Sequence, residues 1–162
     1  DLKLCIQKYN TFLFVPFVCL PLVRRLLKGF ESNIIGVHVV DRSINVDLNK
    51  SLSVKAVDNV LNVILLPLAA SVSKRINLLG FDGRGKNDLK FWSHNQRTQY
   101  SELMESIESC HPAFFICRDY SKYSVNQASN TEKFISWIES NSSNVVSLAP
   151  SNVPSINSRY KS

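Results

Sequence analysis

A run of mostly apolar residues over positions 75–81 ends abruptly in a polar segment with three glycines in six residues. Such a run, broken at Gly80, is typical of a buried strand that is followed by a loop. In open α/β sheets ligands bind just beyond the carboxyl ends of the strands, because the chain turns there and side chains converge. The sequence therefore predicts a ligand site in the loop GFDGRG. The alternative is an ordinary Asp82-Gly83 turn beside a solvated Arg84.

Two neighbouring segments place this strand in a larger pattern. Residues 33–41 (NIIGVHVVD) form a β-branched run, which predicts a buried parallel strand. After Ser53, a candidate N-cap, apolar residues recur at helical spacing to residue 72, and Pro67 must kink that helix or begin its last turns. The order strand, helix, strand is typical of a right-handed crossover. The fold class that we expect is α/β, a Rossmann-like, mostly parallel sheet flanked by helices.

The remaining segments add elements to what we expect to be a single domain over residues 1–162. Residues 12–18 predict a first strand or edge segment, and residues 21–29 predict a short helix. Thr131 is a candidate cap for a helix over TEKFISWIES, and residues 144–148 (NVVSL) predict a last strand. The residues expected on the buried side of that helix are Phe134, Ile135, Trp137 and Ile138.

The charge balance restricts the classes of partner. Lys and Arg outnumber Asp and Glu by 19 to 13, which gives a net charge of +6. This balance favours an anionic ligand, nucleic acid or an acidic membrane surface. Because basic residues occur singly or in pairs such as Arg24-Arg25, a positive pocket is favoured over a dedicated nucleic-acid groove.

The cysteines and the first apolar run bear on the compartment. We interpret the cysteines, which form no CxxC pair, as reduced core residues of a cytoplasmic protein; they are Cys5, Cys19, Cys110 and Cys117. The apolar run over residues 11–23 is too short for a membrane span, which leaves peripheral association as the form of membrane contact. The chain begins with Asp1 and runs directly into structured-looking sequence, as expected of a fragment or a processed product.

Common catalytic motifs are missing from the sequence. It has no GxGxxG or GxxxxGK[ST] phosphate cradle, no HExxH zinc motif and no GxSxG nucleophile elbow. We therefore assign no cofactor and no metal site. His38 lies inside a predicted strand, where we expect a hydrogen-bonded core residue.

The candidate site residues lie in and after the glycine loop. Asp82 can bind a sugar hydroxyl or a metal, and Arg84 and Lys86 can hold a phosphate. His94 or His111 can exchange a proton near neutral pH. His111, which precedes a proline, can instead cap a helix.

Aromatic residues accompany these polar groups. Tyr120 and Tyr123, in a predicted polar loop, can donate hydrogen bonds to phosphate oxygens, and so can Tyr100. Tyr100 alternatively has the spacing of a helix core face. Trp92 is either a lid over the glycine loop or a packing residue.

Residues 59–82, an apolar helix that leads into a strand ending in G-x-D, resemble the corresponding element of bacterial sialyltransferase-like glycosyltransferases and of related Rossmann-like domain-of-unknown-function proteins. The segments EKFISWIE and NVVSLAPSNVPSI are similar to the late helix, strand and ending of that family, so the resemblance covers roughly residues 54–160. It implies that Asp82 lies by a nucleotide-sugar, that Tyr120 or Tyr123 binds the phosphate and that a histidine, His111 or His94, is the base. The family's early G-x-G-P-S turn is missing, so we expect a C-terminal piece of a larger transferase or a lost nucleotide site.

These observations predict a glycosyltransferase of surface-polysaccharide or glycoconjugate assembly, with a nucleotide-sugar donor and a glycan acceptor as its partners. The residues expected to bind substrate are Arg84, Lys86, Trp92, Tyr120 and Tyr123. One alternative is a non-catalytic scaffold, one lobe of a larger assembly, whose residues 11–23 pack on a partner. Another is a nucleic-acid protein that stacks bases on Phe91 and Trp92.

Overall fold

The computed structural model describes residues 2–57, 59–83 and 120–161. The chain divides into two compact units, residues 1–74 and residues 75–162. The strands are β1 (Leu13–Pro16), β2 (Ile34–Val40), β3 (Ser53–Lys55), β4 (Arg75–Leu78) and β5 (Asn144–Ser147). The α-helices are α1 (Leu2–Tyr9), α2 (Leu20–Leu26), α3 (Leu66–Val72), α4 (Tyr120–Ser140) and α5 (Pro154–Asn157).

The first unit contains a parallel sheet in the order β1-β2-β3, and each face of that sheet has its own apolar cluster. On one face the cluster around Val15 and Ile34 includes Ile6 of α1 and residues of α2. On the other face Val37 and Val54 pack against the helical segment 61–72. Neighbouring strand residues point to opposite faces, so a parallel sheet is covered on both sides. The unit therefore has three layers, with the sheet between helices.

The helix that was expected from Ser53 begins later, because residues 53–55 form β3 and pair with β2. The capping residue is Asn59, whose Oδ1 accepts a hydrogen bond from the Leu61 N–H at 2.7 Å. Leu61–Leu65 is a π-helical turn, and α3 follows it with Pro67 in its first turn. The expected position of Pro67 at the start of the last helical turns is confirmed. Proline suits this position because it has no N–H to donate to the preceding turn.

The second unit contains β4 and β5, which pair in parallel with Arg75 opposite Asn144. Helix α4 leads into β5 through residues 141–143, so it runs against the direction of the strands. Its residues Phe134, Ile135 and Ile138 are buried, as expected. Trp137 is 49% exposed, so the expectation that it is buried is wrong.

Thr131 does not cap a helix. It lies inside α4, which already begins at Tyr120, and its hydroxyl donates to the Gln127 carbonyl at 2.8 Å. Thr131 is 1% exposed, and a buried hydroxyl can be satisfied by a carbonyl of the preceding turn. The helix therefore extends well upstream of its apolar segment.

The end of the chain packs back on α4 through one arginine. Arg159 Nε and Nη2 donate to the two carboxylate oxygens of Glu139, at 2.8 and 2.7 Å. Its Nη1 donates to the Ser155 carbonyl at 2.6 Å and lies 3.4 Å from Glu132. The Arg159 carbonyl accepts the Ser147 N–H at 2.9 Å, which joins this segment to β5.

The α/β class is confirmed, and every strand pair among the described residues is parallel. The expected crossover from residues 33–41 to residues 75–81 is wrong in its pairing. Strand β2 pairs with β1 and β3, whereas β4 pairs with β5. Strand β3 lies between β2 and the helical segment 61–72 in the chain. The helical segment therefore follows β3 and not, as had been expected, β2.

Three residues expected in the core lie on the surface. Cys5 and Cys19 are free and exposed, whereas Cys110 and Cys117 lie outside the described residues. His38 is exposed and stacks on Phe17, with ring centroids 4.2 Å apart. The elements that carry these cysteines bury few side chains, Ile6 in α1 and none in the turn Phe17–Cys19. No helix of the described chain is at once long enough and apolar enough to cross a bilayer.

Arg159→Ala should destabilise the protein. The change removes charge-assisted hydrogen bonds to Glu139 and a bond to the Ser155 carbonyl from a side chain that is 17% exposed. The free energy of unfolding should fall by about 2 kcal/mol. Lys161→Ala is the control, since Lys161 is exposed in the same segment. Urea unfolding measures both variants, and equal losses would contradict the role given to Arg159.

Glu132 should make stability depend on pH in the acid range. Hydrogen bonds from Ser136 and then from Arg159 lower the pKa of this carboxyl below its ordinary 4.5. As the pH falls the unfolded chain binds the proton first, so this stabilisation is complete above the ordinary pKa and is lost as the pH falls through the folded pKa. The carboxylate is 51% exposed, so its contribution should stay below about 1 kcal/mol.

The measurement is urea unfolding of the natural sequence and of Glu132→Gln at about pH 7 and about pH 3. We expect the natural sequence to be more stable than Glu132→Gln at about pH 7. This difference in stability should disappear at about pH 3. A stability difference that is the same at both pH values would show that the ionised carboxylate contributes nothing.

Candidate functional site

The loop after β4 lies at the carboxyl edge of the β4-β5 pair, where the sequence predicted a ligand site. Leu78, the last residue of β4, is paired with Ser147, the last residue of β5. The segments that follow the two strands therefore leave the sheet side by side. The Leu148 N–H donates to the Leu78 carbonyl at 2.9 Å, which continues the pairing by one bond.

The main-chain carbonyls of the first segment are bound by the second. Ser151 Oγ donates to the Phe81 carbonyl at 2.6 Å, and the Asn152 N–H donates to the Asp82 carbonyl, also at 2.6 Å. Asn152 Nδ2 makes a longer bond of 3.5 Å to the Gly83 carbonyl. We call residues 79–83 and 151–153 together the edge clamp.

Two glycines of the edge clamp have backbone angles that side chains rarely adopt. The φ angles of Gly80 and Gly83 are +77° and +69°. Gly83 is also crowded, because a Cβ there would lie 2.9 Å from Val153 Cγ2 and 3.2 Å from Val153 N. A Cβ at Gly80 would have no such neighbour within 4 Å. Gly80 therefore permits the turn, whereas Gly83 permits both the turn and the close approach of the two segments.

Asp82 is exposed on the edge clamp, four residues beyond the end of β4. The carboxylate of Asp82 can accept hydrogen bonds from hydroxyl and N–H groups. The backbone of Asp82 is held by the hydrogen bond from the Asn152 N–H. The structure thus has Asp82 just past the carboxyl end of a parallel strand. Its role in ligand binding stays a prediction.

Tyr120 and Tyr123 lie in the first turns of α4, so the polar loop expected for them is wrong. The helix continues through their polar segment because it is continuous with the apolar segment around Ile135, which is fully buried. Tyr123 is half-buried. Along the helix axis, at 1.5 Å per residue, Tyr123 lies about 25 Å from Ser140. The four-residue strand β5 is about 13 Å long. Since α4 runs against β5, this end of the helix lies on the carboxyl-edge side.

Five predicted site residues fall outside the described residues: Arg84, Lys86, Trp92, His94 and His111. Tyr100 and Phe91 lie in the same range. Of the predicted site residues that the structure describes, Asp82 lies on the edge clamp and Tyr120 and Tyr123 lie in the first turns of α4. Ser151 and Asn152, which hold the loop, were missed, although Ser and Asn directly after a predicted strand are a turn signal.

A concave feature lies at the carboxyl edge of the β1-β2-β3 sheet. It is an open groove of about 260 Å³ between the strand ends and the first turns of the helical segment after Asn59. The residues that line it are all apolar, among them Phe14, Val37, Val39, Val54, Val60 and Val63. Such a groove can hold an apolar group, but its lining offers no acid, base or nucleophile.

The edge clamp and the apolar groove offer only the side chains and main-chain groups named above, among the described residues. Among the described residues, no three His, Cys, Asp or Glu side chains lie near enough to share a metal ion. Comparisons of the chain with protein-family models, with curated proteins and with solved structures give no match. The resemblance to sialyltransferase-like glycosyltransferases therefore rests on the sequence patterns alone.

Replacing the two clamp glycines should separate turn strain from crowding. Gly80→Ala should lower the free energy of unfolding by about 1 kcal/mol, since it adds only an unfavourable positive φ. Gly83→Ala should lower it by about 2–4 kcal/mol, since its Cβ must also displace Val153. Urea unfolding gives both values, and equal losses would mean that the segments separate without cost.

Proposed function

We propose that this chain is a glycosyltransferase domain with a Rossmann-like fold, which transfers a sugar from a nucleotide-sugar to a glycan acceptor in surface-polysaccharide assembly. The observation that supports this most is the exposed Asp82 on a fixed loop at the carboxyl ends of two parallel strands. Open parallel sheets bind nucleotide ligands at that edge. The resemblance of residues 54–160 to sialyltransferase-like glycosyltransferases supports the same function, and our interpretation of the cysteines as reduced favours a cytoplasmic location.

The proposed roles follow from the chemistry of the side chains. Asp82 accepts hydrogen bonds from hydroxyl groups of the donor. Arg84 and Lys86, which lie two and four residues further along the chain, neutralise the charge of the phosphates, and Arg84 can do so bidentately. Tyr120 and Tyr123 donate to phosphate oxygens, and Trp92 covers the loop.

The proposed reaction is a displacement at the anomeric carbon of the donor sugar. The acceptor hydroxyl oxygen forms a bond to that carbon, and the bond to the phosphate oxygen breaks, so the nucleotide leaves with the electron pair. His111 or His94 takes the proton of the acceptor hydroxyl or gives one to the leaving phosphate. An imidazole suits either step, because it exchanges protons near neutral pH.

Donor binding is tested by isothermal titration calorimetry with a panel of nucleotide-sugars. At least one should bind, and Asp82→Ala should weaken it about tenfold or more, since a hydrogen bond to a charged group contributes about 1.5–3 kcal/mol. Asp41→Ala is the matched control, because Asp41 directly follows β2 and its carboxylate is 96% exposed. Equal affinity of the two variants would remove Asp82 from the site.

Transfer is tested separately from binding. His111→Ala should keep the donor affinity and lose transfer by about a hundredfold or more, the range of general acid or base catalysis. His94→Ala, assayed in parallel, decides which histidine acts. Transfer rates that are unchanged in Asp82→Ala, His111→Ala and His94→Ala would refute the assignment.

The apolar groove supports a second candidate, a non-catalytic binding or scaffolding module. Its lining can receive an apolar segment but offers no reactive group. A chain that unfolds cooperatively and gives no heat with any nucleotide-sugar would favour this function over the transferase.

A further inference from the structure

The segment that contains α2 exposes apolar and basic side chains side by side. Val18 is 86% exposed, Leu22 61% and Leu26 62%. Adjacent apolar side chains with this much exposure mark an interaction surface, because water contact with each is unfavourable. We call the following set the α2 surface: Phe17, Val18, Leu22, Arg25, Leu26 and Lys28, all exposed.

Helix α2 is anchored by its opposite face. Leu20 packs on the cluster around Val15, and its Cδ2 lies 3.0 Å from the position of a Cβ at Gly36, so the helix sits close against β2. At about 100° per residue, Leu22 and Leu26 lie about 40° apart on the outer side. Arg25 lies about 60° from Leu22 in the other direction. The outer side therefore presents leucines along one flank and arginine along the other.

The α2 surface belongs to a stretch of sequence whose charged residues are all basic. No acidic residue occurs between residues 2 and 30, whereas five basic residues do: Lys3, Lys8, Arg24, Arg25 and Lys28. The next acid, Glu31, accepts the Gly29 N–H through both carboxylate oxygens, each at 3.0 Å. An anionic layer is thus the electrostatic complement of this surface.

We propose that the α2 surface docks on an anionic lipid bilayer. Its apolar side chains reach the boundary of the acyl chains, and Arg25 and Lys28 lie among the phosphate headgroups, the arrangement of helices that lie in the membrane interface. A second copy of this chain fits the surface poorly, because a two-fold contact brings the same arginines against each other. Docking requires no transferase activity, so it stands or fails independently of the proposed function.

The test is co-sedimentation of the 162-residue chain with vesicles of phosphatidylcholine alone or mixed with phosphatidylglycerol. Binding should require the anionic lipid and weaken as salt is raised. Leu22→Ser with Leu26→Ser, and separately Arg25→Gln with Lys28→Gln, should each lower the partition coefficient about tenfold or more.

Matched controls change equally exposed residues outside the α2 surface. Val72→Ser with Val125→Ser replaces side chains that are 73% and 69% exposed, and Lys74→Gln with Lys133→Gln removes two exposed charges. Both control pairs should bind like the natural sequence, and far-UV circular dichroism checks that every variant is folded.

Two outcomes would overturn the proposal. One is a folded chain that does not bind the anionic vesicles, or that binds them equally well in the α2-surface variants and in the controls. The other is sedimentation velocity without lipid showing a dimer that the leucine changes dissociate, since the surface would then be occupied by a second copy.

Discussion

Parallel strand pairing is the interaction on which both units depend. In the pairs β1-β2, β2-β3 and β4-β5 the carboxyl ends lie at one edge, so each connection must return the chain to the opposite end. The return through α2 covers one face of the first sheet, and the return through α4 buries Ile135 and Ile138 in the second unit. The connection from β2 to β3 is a loop instead. Asn45 orders it, since its Nδ2 donates to the Ser51 and Ser53 carbonyls at 2.9 and 2.8 Å.

The strands that were predicted are those whose signal is local. Residues 34–40 are β-branched over most of their length, and they form β2 as predicted. Strand β3 has three residues and a single buried side chain, Val54, which also fits the helical spacing of the residues after it. Only pairing with β2 decides whether residues 53–55 form a strand or begin a helix. Pairing is a non-local interaction, which residue propensities do not include. Ser53 and Asn59 are both good capping residues, so residue type could not tell which one begins the helix.

The candidate site divides in the same way. The position of Asp82 beyond a strand end was predicted because a strand, a glycine and an acid lie close together in the sequence. The bond that holds this loop comes from Ser151, 70 residues further on, and no local pattern pairs the two segments. The tyrosines of α4 were assigned to a loop because the residues from Tyr120 to Asn130 are polar. A helix whose exposed end carries few apolar residues has no amphipathic signal there, although its continuation is buried.

The edge clamp also determines what a ligand can use at this edge. The carbonyls of Phe81, Asp82 and Gly83 each already accept a bond from the 151–153 segment, so they have less capacity to accept further bonds from a ligand. Glycine-rich loops lose more entropy on ordering than other loops do, which would weaken any ligand that had to order this one. Here Ser151 and Asn152 fix the loop before a ligand arrives. A segment distant in sequence therefore orders the backbone of Asp82, which would lower the entropic cost of any ligand binding there without a contact to that ligand.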